Sequence, residues 1–207
     1  GFSGKAIPPS AGDLVCPKYR LAEAALCVTL GARAASAARG GVMIRRVAAA
    51  PARRISSDQA AGFVRSGMWL DYGAGLDQPD VFDQALARRA VDLNGVKIRS
   101  CLSTRPRAVL EAYPEGAHFC WVSLHFSGYD RKKHDLGLAT YLPVNLGEIP
   151  DYYRRFIDPV DIVIVKTCPI DKDGYFNLSA ATLWHRAVIE RARMVIVEET
   201  TGLPYVM

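Results

Sequence analysis

This 207-residue sequence predicts an α/β fold with an open, mostly parallel sheet flanked by helices. Three observations carry that prediction. Strand-like and helix-like segments alternate from Ser56 onward, the order that builds a parallel sheet through crossover helices. Val160–Thr167 is almost continuously apolar, as in a strand covered on both faces. Ser66–Asp80 reads as a short strand feeding a glycine loop that opens a helix.

The elements follow in order. Ser56-Ser57-Asp58 offers a helix N-cap, Ala60, Phe63 and Val64 form an apolar stripe, and Gly67 is a natural stop. In the strand that follows, Met68, Leu70 and Tyr72 share one face while Trp69 and Asp71 take the other. Gly73 and Gly75 permit a tight turn and a close backbone approach. Pro79 is expected at the first position of a helix over 79–90, with Val81, Phe82, Ala85, Leu86 and Ala90 at helical spacing. Val96–Leu102 alternates like a strand, 106–112 is helical, and Ala117–Val122 is a strand. Ser127–Leu136 is polar, a loop or a short helix. Thr140–Val144 is a short strand and Glu148–Phe156 a helix. After the 160–167 strand come a helix over Thr182–Ala192 and a buried strand over Met194–Val197.

Charge divides the chain. Residues 1–55 carry nine Lys/Arg against Asp13 and Glu23, a local +7, which leaves −2 of the total +5 for the rest. The body is therefore not a basic nucleic-acid binder. No apolar run reaches the length of a membrane span. The two regions expected are a basic Ala/Arg-rich segment over 1–55 and a folded domain over 56–207. The first, with Ala48–Arg54 and Met43, reads either as an organelle-targeting segment or as a tag, linker or translated upstream sequence. Five cysteines without a CxxC pair fit a reducing compartment with buried thiols. The expected location is cytoplasmic, or the mitochondrial matrix if the basic segment is a transit peptide.

Several segments hold candidate chemistry. A helix N-terminus behind a glycine loop offers N–H groups to an anion or a carbonyl oxygen, yet Gly73–Pro79 lacks both GxGxxG spacing and the Lys-Ser/Thr of a phosphate loop. Ser123, His125 and Ser127 alternate and project to one side if the segment stays extended; the plainer reading is turn-capping around an aromatic cluster. The four histidines, His118, His125, His134 and His185, have no metal-ligand spacing, so no metal is expected. Asp171-Lys172-Asp173-Gly174 is a turn rather than a calcium loop. Arg131-Lys132-Lys133-His134 is a solvated basic face or a phosphate contact. Glu198 and Glu199 point opposite ways on an extended segment and make a poor acid/base pair.

Taken in order, the segments SGMWLDYGAGLDQPDVFDQALARR, HFCWVSLHFSGYDRKKHD, YLPVNLGEIPDYYRRF, VDIVIVKTCPIDKDGYFNLS and HRAVIERARMVIVEE closely resemble one family. The chain from about Ser56 to Met207 is similar to the N-terminal half of the acetyl-CoA hydrolase/transferase proteins, the family I CoA-transferases that include butyryl-CoA:acetate and 4-hydroxybutyrate CoA-transferases. The resemblance implies two related open α/β domains and nucleophilic catalysis by a glutamate carboxylate, through an acyl-glutamyl anhydride and a glutamyl-CoA thioester. It implies acyl-CoA and a short-chain carboxylate as substrates, with CoA as a substrate and no metal, and a homo-oligomer at full length. That glutamate belongs to a C-terminal domain beyond Met207, so no catalytic residue is assigned here. Without that domain the chain is expected to be inactive, or a remnant binding CoA or a partner; the same resemblance leaves open an acyl-CoA (acetyl-CoA) hydrolase, with water as the acceptor. The family's usual glycine-proline turn after Asn177 is replaced by Leu178-Ser179-Ala180. The residues expected to bind substrate or CoA are Gly73, Ala74 and Gly75 through backbone N–H groups, Gln78, and Ser123, His125, Asn145 and Asn177 at strand ends.

Overall fold

The computed structural model describes residues 26–30, 53–113, 115, 118–172, 175–179 and 182–206. Most of the basic N-terminal segment, including Met43, therefore lies outside the described residues, as do Asp173 and Gly174 of the expected turn. Eight strands form one sheet: β1 (Leu26–Leu30), β2 (Arg53–Ile55), β3 (Trp69–Ala74), β4 (Val96–Cys101), β5 (Phe119–Ser123), β6 (Ala139–Tyr141), β7 (Ile162–Thr167) and β8 (Met194–Glu199). Their spatial order is β2-β1-β8-β7-β3-β4-β5-β6. The six strands from β8 to β6 run parallel, and β1 pairs antiparallel with both β8 and β2. The sheet thus begins before Ser56, with two strands from residues 1–55.

The chain leaves β3 toward β4, β5 and β6, then crosses back to β7 on the other flank of β3 and ends in β8. The strand order reverses between β3 and β7, the crevice where open α/β sheets place ligands, outside the carboxyl ends of the strands. Helices α1 (Ser57–Ala61), α2 (Val81–Ala87) and α3 (Ala108–Glu111) contribute Ala60, Ala61, Phe82, Leu86, Val109 and Leu110 to one core. On the opposite face, α5 (Ile149–Asp151), the π-helical turn Tyr152–Phe156 and α6 (His185–Ile189) supply Ile149, Tyr153, Ala187 and Val188 to a second core. Crossovers of one hand running in opposite directions cover opposite faces of a sheet.

The parity expected in β3 holds, and then reverses. Leu70 and Tyr72 enter the first core, with Met68 packed beside them, and Trp69 packs on the second. Ala74 should join Leu70 and Tyr72, yet it lies in the second core. The β3–β4 register shifts between Asp71 and Ala74, and this bulge turns the strand end over. Gly73, at φ 66°, supplies the left-handed backbone that the bulge needs.

Several boundaries differ from expectation. Helix α2 starts at Val81 with Asp80 as its N-cap, so Pro79 precedes the helix, and a separate 3-10 turn covers Ala90–Asp92. Ser127–Leu136 resolves into helix α4 (Gly128–Asp135), because Ser127 and Asp130 form a reciprocal capping box. The 140–144 strand shrinks to β6, the 182–192 helix shortens to α6, and β8 continues through Glu199.

Candidate functional site

The loops that follow β3, β4 and β5 are tied together at the carboxyl edge. The Gln78 side-chain amide donates to Ser100 Oγ at 2.5 Å and to the Cys101 carbonyl at 3.1 Å, and Ser100 Oγ donates to the Gly73 carbonyl at 3.1 Å. The Leu102 N–H donates to the His125 carbonyl at 2.8 Å. Leu102 itself sits at φ 52° and is exposed. A branched residue held in that region signals a constrained loop. Gly75, at φ 57°, faces the Leu102 carbonyl.

Of the candidate binding residues, Gly73, Ala74, Gly75, Gln78, Ser123 and His125 belong to this cluster. The Gly73 N–H already donates to Asp71 Oδ1 at 2.9 Å, and Gln78 is fully buried with its amide turned toward β4. Ser123 Oγ donates to the His125 carbonyl at 2.9 Å, while the His125 side chain is exposed. Asn145 and Asn177 stand on flanking loops. Asn145 Oδ1 accepts from the Gly147 N–H, and Asn177 Nδ2 donates to the Val206 carbonyl at 2.6 Å. Asn177 Oδ1 accepts from the Ser179 N–H, so this side chain clamps the 203–206 segment. Ser123, His125 and Ser127 do not project to one side: the strand ends at Ser123, and Ser127 is spent as the cap of α4.

The helix N-terminus is not open. Glu198, 1% exposed at the end of β8, accepts from the N–H groups of Asp80 (2.9 Å), Val81 (3.3 Å) and Phe82 (2.9 Å). The anion expected at this terminus is thus the protein's own carboxylate. Glu199 points the other way, to Arg54 and the Ile170 N–H, so the two acids diverge as their spacing requires.

Sequence reasoning passed over the charged groups beneath the loop. Asp80 meets Lys166 Nζ, Arg105 at 3.1 Å and Arg107 at 3.0 Å. Burial raises its pKa, but these three cations outweigh burial and hold it below the usual value. Asp77, 1% exposed, has neither carboxyl oxygen hydrogen-bonded. Burial pushes it up to about 7 against a weaker pull from Lys166. On the opposite face of β3, Asp71 accepts from the Tyr153 hydroxyl, and the Arg99 guanidinium lies over both Trp69 (4.8 Å) and Tyr153 (5.0 Å). Burial raises Asp71, with Tyr153 and Arg99 opposing. His185 is buried with both ring nitrogens unpartnered, and burial lowers it to about 4. A signal for Lys166 was present: it is a lysine that directly follows the apolar run Ile162–Val165 within one strand. Within the basic run 131–134, Lys133 bonds Glu111 at 3.0 Å and the His134 ring meets the Ala139 carbonyl at 2.7 Å, while Arg131 and Lys132 are exposed. Among the described residues, no group of three or more His, Cys, Asp or Glu could hold a metal ion, and no helix is long and apolar enough to cross a membrane.

An open parallel sheet with a bulged glycine loop at its switch point defines a class of ligand-binding α/β domains. Residues 43–207 match the acetyl-CoA hydrolase/transferase N-terminal domain, and the chain belongs to that family. It is 35% identical over 149 residues to a butyryl-CoA:acetate CoA-transferase of Anaerostipes caccae, covering 72% of this chain and 33% of that protein. It is 35% identical over 150 residues to a probable butyrate:acetyl-CoA coenzyme A-transferase of Syntrophomonas wolfei, with the same coverage. The chain therefore spans about a third of the length of these relatives. Among solved structures, RipA from Yersinia pestis superimposes with a TM-score of 0.65 at 21% identity, over 73% of this chain and 37% of that one. A 4-hydroxybutyrate CoA-transferase from Porphyromonas gingivalis gives 0.55 at 18% identity, over 74% and 34%. Both show the same fold.

Proposed function

We propose that this chain is the N-terminal half of a CoA-transferase that moves CoA between an acyl-CoA thioester and a short-chain carboxylate such as acetate. The observation that carries this reading is the family match over 43–207, joined to two curated CoA-transferase relatives at 35% identity. In the proposed reaction a glutamate supplied from outside this chain attacks the thioester carbonyl and expels CoA thiolate, leaving an acyl-glutamyl anhydride. The thiolate then attacks the glutamyl carbonyl, releasing the first carboxylate and forming glutamyl-CoA. The acceptor carboxylate attacks that thioester in turn, and the steps run in reverse. This half contributes one wall of the pocket. Gly75 and the exposed His125 face the ligand, while Ala74 lies at the bulge between them and the core. Gln78, Ser123, Asn145 and Asn177 hold the loops that carry them.

The test assays butyryl-CoA with acetate, using the chain alone and the chain joined to the remaining two thirds of the Anaerostipes relative. Acetyl-CoA is expected from the joined protein and none from the chain alone. Turnover by the chain alone would overturn the division of labour. Loss of thioester that proceeds equally without acetate would overturn transfer in favour of hydrolysis.

A further inference from the structure

Lys166 touches two parts of the turn between β3 and α2, as Arg105 and Arg107 also do. Its ammonium bonds the Asp80 carboxylate and reaches the Gln78 carbonyl at 3.4 Å. It also acts electrostatically on Asp77, the residue before Gln78. The two carboxyls that attract this ammonium are unequally provided for. Asp80 has Arg105 at 3.1 Å and Arg107 at 3.0 Å in addition, so it stays paired without the lysine. Asp77 is buried, and neither of its oxygens has a hydrogen-bond partner.

We propose that Lys166 is a shared counter-ion that passes from Asp80 to Asp77 when Asp77 ionises, and that this exchange repositions the glycine loop. A buried carboxylate with no donor is too costly to persist, so an ionised Asp77 must either capture a cation or leave its site. Lys166 is the cation that pairs with Asp80, reaches the carbonyl of Gln78 beside Asp77 and acts on Asp77 itself, whereas Arg105 and Arg107 stay with Asp80. The other charged or titratable groups around the two acids are Cys168 after β7, Glu198 on β8, Asp83 within α2, and the two arginines before α3. Glu198 is occupied by three N–H groups of the α2 terminus, and Asp83 accepts from the Ala108 N–H, so neither competes for the lysine. Gly73 and Gly75 on its approach both hold positive φ, at 66° and 57°, so each has backbone conformations open to it that other residues lack. The neutral form of Asp77 corresponds to the arrangement seen, and its transition falls near pH 7.

The test follows the full chain by NMR between pH 5.5 and 8.5, without substrate, so its outcome is independent of whether CoA transfer is observed. The expected result is one titration step near pH 7 shared by the Asp77 carboxyl carbon, the Lys166 ammonium and the amides of Gly75 and Gln78. The Asp80 carboxyl should stay ionised throughout. Asp77→Asn should abolish the step in those amides, and Asp83→Asn should leave it in place. An Asp77 carboxyl already ionised at pH 5.5 would overturn the proposal on the native chain alone. So would glycine-loop amides that do not move, or a step that survives in Asp77→Asn.

Discussion

Gly73 shows how one residue can be conspicuous in sequence and still owe its identity to something the sequence hides. The expectation was a close approach to a ligand. In the fold, the close approach is made by His185, whose Nε2 would lie 2.6 Å from a Cβ at this position. The backbone there is at φ 66°, so a side chain would meet conformational strain as well as collision. Gly73→Ala is therefore expected to cost roughly 2–4 kcal/mol, the sum of a strained left-handed residue and an overpacked contact. In Gly73→Ala/His185→Ala the collision is gone and the φ strain remains. Urea denaturation of both single variants and the double should show a coupling of about 1 kcal/mol or more. Strict additivity would mean that His185 does not determine the need for glycine. The reason was not legible because Gly73 and His185 are more than a hundred positions apart, and nothing in the local spacing of His185 marks it as a wedge. The importance of the glycine was legible, because a GxG after a strand demands special backbone geometry whatever fills the space beside it.

At the scale of elements, the α2 terminus makes the same point about partners. The glycine loop, the turn and the helix were all readable from local pattern, including the alternation of Leu70 and Tyr72 against Trp69. The occupant of the helix terminus was not readable, because Glu198 comes from the last strand, 116–118 residues away in sequence. Adjacent acids on a strand could be seen to diverge, but not which of them would be buried against N–H groups. The start of α2 at Val81 rather than Pro79 follows from this contact, since proline has no N–H to give and the carboxylate fixes the next three residues. Replacing Glu198 by Ala should leave three N–H donors, that of Phe82 buried and those of Asp80 and Val81 partly so, without their acceptor and cost about 2–4 kcal/mol, whereas Glu198→Gln, which keeps one carbonyl oxygen, should cost about half as much. The urea midpoints of the two variants give the check. Equal loss in both would indicate that charge rather than hydrogen bonding holds the terminus.

For the whole molecule, the parallel sheet was legible from alternating elements and from the doubly covered Val160–Thr167 run, which became the inner strand β7. The bulge in β3 and the pairing of β1 and β2 with β8 were not, because strand order and register are set by contacts between distant segments. The burial that this sheet imposes on charged groups leads to an expectation about pH that no local pattern supplies. Asp77 and Asp83 are both raised from 3.8 to about 7. Each binds a proton more tightly in the folded chain than in the unfolded one, so each contributes stability that is complete below pH 3.8 and is lost as pH rises through 7. His185, lowered from 6.5 to about 4, acts in the opposite sense: its contribution is complete above 6.5 and is lost as pH falls through 4. Asp80, held below its ordinary value, adds stability that is lost only in stronger acid. Between pH 4 and 6.5 these two acids, with Asp71 raised in the same direction, oppose one histidine. Each titrating group changes stability by about 1.4 kcal/mol per pH unit in its window, so the net slope is downward with rising pH by at least that amount where Asp71 adds to it. The urea midpoint is expected to peak near pH 4–5 and to fall toward 7. Asp77→Asn removes one of these acids and should make the fall from pH 4 to 6.5 shallower by about 1.4 kcal/mol per pH unit. A native midpoint that climbs steadily to pH 7, or an Asp77→Asn profile that superimposes on the native one, would mean that Asp77 is not held neutral beneath the glycine loop.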